Sequence, residues 1–178
     1  MKQNARDVIV RELCRVAGDV LRYHSKGDIK LEASSGTTVA DAFDGSEHQQ
    51  LLSASIALEG REVSASLSLF GKSDSVKLLS AHTVTNPEDW VGELANLLVG
   101  ALKNRLSEYD VSARLGLPVC VGGIRLQFIS RYAHDKSIKV TTKCGVVVVQ
   151  LHFTVAKNAQ WERQSDLTAL EEGEMCFF

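Results

Sequence analysis

The stretch that most constrains the fold is "NPEDWVGELANLLVGALKNRLS", Asn86 to Ser107. Asn86 is an N-cap residue, Pro87 suits the first helical position, and Glu88 and Asp89 face the positive end of the helix dipole. A helix therefore begins here. At about 100° per residue, Trp90, Val91, Leu94, Ala95, Leu97, Leu98, Val99, Ala101, Leu102 and Leu106 cover more than half of its circumference, broken only by Arg105. So wide an apolar arc must be mostly buried, and the chain has to fold around it.

What remains of the helix surface is a narrow strip: Asp89, Gly92, Glu93, Asn96, Gly100, Lys103, Asn104 and Ser107. Positions 89, 93, 96, 100, 103 and 107 alternate steps of four and three, so they stack in one line. Glu93 and Asn96 are neighbours on that line. Gly92 and Gly100 flank them, although a mid-helix glycine costs about 1 kcal/mol relative to alanine. The expectation is that both glycines clear room for another molecule's backbone. By geometry alone, the strip also matches the solvated side of a buried helix.

Elsewhere the chain alternates between helix and strand signals. Residues from Asn4 to about His24 carry apolar side chains at helical spacing, and a short strand is expected at Ile29 to Ala33. The polar segment that follows, to Gln50, reads as a loop. "LLSASIAL" and "EVSASLSLF" alternate strictly, which predicts a hairpin with Leu52, Ala54, Ile56 and Leu58 matching Val63, Ala65, Leu67 and Leu69 on one buried face. "SDSVKLLSAH" predicts a short helix capped by Ser73 or Asp74. Beyond the long helix come "VSARLGLPVCVGGIRLQF" and "IKVTTKCGVVVVQLHFTVA", both strand-like, with the run Val146 to Val149 expected to be covered on both faces. This order predicts an α+β fold with the long helix packed on a mostly antiparallel sheet, in a single domain over residues 1–160. Residues 161–178 are expected to be a tail, either a short helix or a frayed end.

Composition excludes several classes of function. The net charge of −2 comes with scattered Lys and Arg, so no nucleic-acid footprint is visible. No apolar run approaches the roughly 20 residues of a membrane span, and the first residues lack the apolar core of a signal peptide; a soluble, cytoplasmic protein is expected. The 4 cysteines, Cys14, Cys120, Cys144 and Cys176, have no CxxC spacing and read as reduced thiols. No histidine sits at ligand spacing, and phosphate-cradling, nucleophile-elbow and zinc-protease motifs are absent. No cofactor or metal of its own is expected.

"DWVGELANLLVGALKNRL" followed by "LGLPVCVGG" resembles the CheC, CheX and FliY phosphatases of bacterial chemotaxis. Their signature is Asp or Ser, three residues, Glu, two residues, Asn, then Pro roughly twenty residues on. The matching positions here are Asp89, Glu93, Asn96 and Pro118. The resemblance implies a CheC-like fold and an enzyme that dephosphorylates the aspartyl phosphate of a CheY-like response regulator. It further implies that Asn96 orients the attacking water, that Glu93 pairs with the regulator's lysine, and that Asp89, Gly92, Gly100 and Lys103 meet the partner. The Mg2+ of such a reaction would sit on the partner's receiver domain. The single ExxN in helical context favours the CheX type, which resembles a homodimer built by sheet pairing, with the strand Cys144 to Val155 as candidate edge. The alternative is a docking module that binds a receiver without hydrolysis.

Overall fold

A computed structural model of the chain describes residues 1–34, 39–43, 50–80, 86–124, 126, 132 and 134–164. The two alternating runs pair as a hairpin with their apolar positions on a common face. β3 (Leu51–Gly60) and β4 (Val63–Lys72) are antiparallel, with Ala54 opposite Leu69, Ile56 opposite Leu67 and Leu58 opposite Ala65. Because side chains alternate across a strand, this places the apolar set on one face and Ser53, Ser55, Ser66 and Ser68 on the other. β8 (Gly145–Val155) pairs with β4, and β7 (His134–Thr142) pairs with β8. β2 (Lys30–Ser34) closes one side of the sheet against β7. On the other side β5 (Ala113–Leu115) and β6 (Val119–Gly123) both pair with β3, at its two ends. The sheet order is β2-β7-β8-β4-β3-β5, with β6 also beside β3, and every pairing is antiparallel.

The apolar face carries α1 (Ala5–Ser25), α3 (Ser73–Leu79) and α4 (Pro87–Ser107). Asn4 caps α1 by accepting from Arg6 N–H at 2.9 Å, and Val8, Leu13, Val16 and Leu21 turn into the core. α4 lies centrally: Val91, Leu94, Ala95, Leu98, Val99, Leu102 and Leu106 are each at most 1% exposed. α2 (Val39–Ala42), a helical turn inside the segment expected to be a loop, lies on the opposite face, where Val39 and Phe43 pack with Leu51, Phe70 and Val148. The Val146 to Val149 run is therefore covered from both sides, Val147 and Val149 by the helical layer and Val148 by the α2 cluster.

Close approach explains one glycine. A Cβ on Gly60 would lie 2.3 Å from the Ser112 carbonyl oxygen, so only glycine lets β5 run against the end of β3.

Four expectations need correction. The strand Cys144 to Val155 is not an edge: β8 lies between β7 and β4, and the edges are β2 on one side and β5 and β6 on the other. The long valine run suggested a surface for pairing, but a run covered on both faces belongs to the middle of a sheet. The tail does not begin at residue 161, since β9 (Gln160–Trp161) pairs with β1 (Gln3–Asn4) and Trp161 is 4% exposed. Gln164 N–H then donates to the Glu108 carbonyl at 2.8 Å, so fixed structure reaches that residue, and the tail beyond it lies outside the described residues. α3 is preceded by Lys72, with no side-chain cap, rather than capped by Ser73 or Asp74. The loop expectation fails where Val39–Ala42 forms α2; much of the segment around it lies outside the described residues.

Candidate functional site

The site is built on α4 and its neighbours. Asn86 caps the helix as its sequence requires, its Oδ1 accepting from Glu88 N–H at 3.0 Å, with Pro87 in the first turn. This end of the helix sits over the edge strand β6. A Cβ at Gly92 would lie only 2.9 Å from Cys120 Sγ, and one at Gly122 would lie 3.7 Å from Glu88 Oε1. Partial desolvation beside the helix, then the charges of Asp89 and Glu88, push the pKa of the exposed Cys120 thiol up, so it stays protonated at neutral pH.

The exposed line of the helix is largely where the residue spacing places it. Asp89, Glu93, Asn96, Lys103 and Ser107 are exposed, and Gly100 is half-buried with no atom within 4 Å of where its Cβ would be. Among the described residues, neither the Glu93 nor the Asn96 side chain forms a hydrogen bond or ion pair. A carboxylate and a carboxamide thus stand one turn apart, free of partners among those residues, beside an open notch. Pro118 is exposed in the break between β5 and β6.

Two residues of α4 behave differently from expectation. Gly92 is buried and faces Cys120, so its missing side chain serves packing against β6 and not clearance for a partner. Leu97, assigned to the buried arc, is 45% exposed. The arc was drawn from hydrophobicity alone, whereas Leu97 lies only about 40° around the helix from Glu93. Sequence reasoning also missed an aromatic ladder beside the helix start. The Tyr23 ring meets His24 edge-on at 5.1 Å, and His24 meets Trp90 edge-on at 5.1 Å. Burial lowers the His24 pKa, so its imidazole is neutral at pH 7. No spacing rule relates positions 23 and 90; only the packing of α1 against α4 does.

A second concavity, a groove of about 420 Å³, opens on the far face of the sheet between the serines of β3 and β4 and the exposed Leu117, Val119 and Val121. Among the described residues no charged side chain lines it. Cys14, Cys120 and Cys144 are free thiols. Among the described residues no cluster of His, Cys, Asp or Glu has the form of a metal site, and no helix is long and apolar enough to cross a membrane.

Neither protein-family models nor characterised proteins match this sequence. Solved structures do. A CheC-like superfamily protein from Shewanella sp. PV-4 superposes with a TM-score of 0.69 at 16% identity, covering 85% of this chain and 99% of its own. The chemotaxis protein CheX from Vibrio vulnificus gives 0.64 at 16% identity, covering 82% and 99%. CheX from Borrelia burgdorferi, solved in a complex with CheY, beryllofluoride and magnesium, gives 0.62 at 11% identity, covering 81% and 96%. The long helix on its antiparallel sheet, over most of the chain, is the fold of the CheC-like and CheX chemotaxis proteins.

Proposed function

We propose that this chain is a phosphatase acting on the aspartyl phosphate of a CheY-like receiver domain, with Asn96 and Glu93 as the working pair. The observation that carries the reading is the exposure of both side chains on one rigid helix, with no bond to another described residue holding them back. The shared fold with a CheX protein solved in complex with CheY supports a receiver as the partner.

Hydrolysis of an acyl phosphate needs a water placed in line with the breaking P–O bond. Phosphoryl transfer is accelerated chiefly by positioning and charge, and asks little covalent chemistry of the protein. The Asn96 carboxamide oxygen accepts a hydrogen bond from that water and orients it without acting as a strong base. The water oxygen bonds to phosphorus, the bond to the aspartyl oxygen breaks, and inorganic phosphate leaves a free carboxylate on the receiver. Glu93 pairs with a lysine beside the receiver's phosphate and sets the depth to which Asn96 enters. Asp89 and Lys103 extend the contact along the same line, and Gly100 leaves space for a receiver loop. Gly92 contributes only indirectly, by letting the helix lie on β6. The Mg2+ of the reaction belongs to the receiver.

The test is the decay of phosphorylated receivers from the same cell. With wild type, decay of the partner receiver is expected to accelerate. Asn96→Ala should lose at least about 100-fold in kcat, the scale of a positioning group, while Glu93→Ala should mainly weaken docking. Unchanged decay for every receiver would sink the enzymatic reading. A protein that hydrolyses nothing, and binds a receiver equally well before and after the Asn96→Ala substitution, is instead a docking module.

A further inference from the structure

We infer that the apolar surface formed by Leu97 and Trp90 of α4 and the exposed Tyr23 of α1 is an anchor on which the receiver seats before Asn96 can reach its phosphate. The inference rests on the functional reading above and adds a second, chemically different half to the docking surface.

Trp90 and Leu97 are two turns apart, at about 3.6 residues per turn, and so lie on one side of the helix. Leu97 is 45% exposed while Leu94, Leu98, Leu102 and Leu106 of the same helix are at most 1% exposed. Asn96 and Leu97 are consecutive, with their Cα atoms about 3.8 Å apart. Their side chains point about 100° apart, but Leu97 lies only about 40° beyond Glu93, so a body that receives Asn96 and also meets Glu93 reaches Leu97 as well. Gly100, one turn on, leaves a hollow beside that leucine.

Toward the start of the helix, the ladder of Tyr23, His24 and Trp90 carries the apolar side across onto α1. Tyr23 is 77% exposed, yet its ring rests edge-on against His24, which in turn rests on the half-buried Trp90. A ring supported in this way loses little freedom on binding, and large rigid aromatics carry a disproportionate share of interface energy. The partner implied is amphipathic: a cation to meet Glu93, and an apolar or aromatic side chain on the rim of its phosphate pocket to meet Leu97 and Tyr23.

The experiment measures affinity for receivers loaded with beryllofluoride and magnesium by calorimetry, alongside steady-state turnover, for wild type, Leu97→Ala, Tyr23→Ala and Leu78→Ala. Leu78 is 44% exposed on α3 and serves as the control for a surface leucine outside the site. Leu97→Ala and Tyr23→Ala are each expected to weaken binding by about 5- to 20-fold and to raise KM in proportion, with kcat unchanged, whereas Leu78→Ala behaves as wild type. Wild-type affinity in both anchor variants, or an equal loss in Leu78→Ala, overturns the anchor and leaves the functional reading standing. Failure of wild type to bind any receiver overturns the functional reading, and the anchor with it. All three positions are exposed, so the variants should fold, and circular dichroism checks that they do.

Discussion

Glu12 shows what a single residue can hide from its sequence. It reads as one more polar position on an amphipathic helix, yet it is 2% exposed. Its carboxylate accepts from Arg11 Nε at 3.1 Å and from the Tyr109 hydroxyl at 3.1 Å, with Arg15 Nη1 at 3.4 Å. Burial pushes its pKa up, but the hydrogen bonds from Arg11 and Tyr109 and the positive charge of Arg15 outweigh it, and the net shift is downward. A depressed carboxylate stabilises the fold above its unfolded pKa of about 4.3, and that contribution is lost as the pH falls through the lower folded value. Glu12→Gln should therefore cost about 1–3 kcal/mol at pH 7, less than a fully buried pair because both arginines reach solvent. Denaturant melts at pH 7 and pH 3 check this: the gap between variant and wild type should close on acidification. A gap of equal size at both pH values would refute the linkage. The Tyr109 partner lies 97 residues away, which is why no local pattern announces it.

At the scale of elements, what sequence reasoning reads best is α4. Its start follows from Asn86, Pro87 and two acids, and the cap bond is present. Asn86→Ala should destabilise the protein by about 1 kcal/mol through loss of that bond, read as a lower midpoint in chemical denaturation with an unchanged slope; a neutral result would mean that tertiary packing alone holds the helix end. The polar line was equally legible, because the 3.6-residue period decides which side chains share a face. What covers the margins of that face was not. Gly92 and Leu97 exchanged their expected environments because β6 presses on one margin while the other stays open. Hydrophobicity says that a leucine favours burial, and only a neighbouring element can provide it.

Over the whole molecule, the sheet has two unequal edges. β2 carries an ion pair between Lys30 and Glu32 at 2.7 Å, the sort of charge that discourages pairing with another sheet. β6 and its flanks, Leu115 to Ile124, contain no charged residue, and Leu117, Val119, Val121 and Ile124 supply four of the nine exposed large apolar residues among the described residues. If the protein forms the homodimer expected from its resemblance to CheX, β6 is the edge this chemistry favours, in place of β8. Val121→Lys is then expected to convert a dimer into a monomer in sedimentation equilibrium at tens of micromolar protein. A dimer that survives the substitution would move the interface elsewhere, and a monomeric wild type would remove the dimer altogether.

By itself the sequence determined the elements that rest on short-range rules: the helix α1, the capped start of α4, the β3–β4 hairpin and the buried face its strands share, and the stacking of Glu93 with Asn96. These follow from period, cap and turn chemistry acting over a few residues. The tertiary structure alone decided the order of strands that put β8 in the middle, the strand that presses on Gly92, the exposure of Leu97, and the meeting of Tyr23, His24 and Trp90. Each of those depends on residues brought together across dozens of positions by the burial of a common core, and the energy that selects them is spread over the whole assembly of contacts.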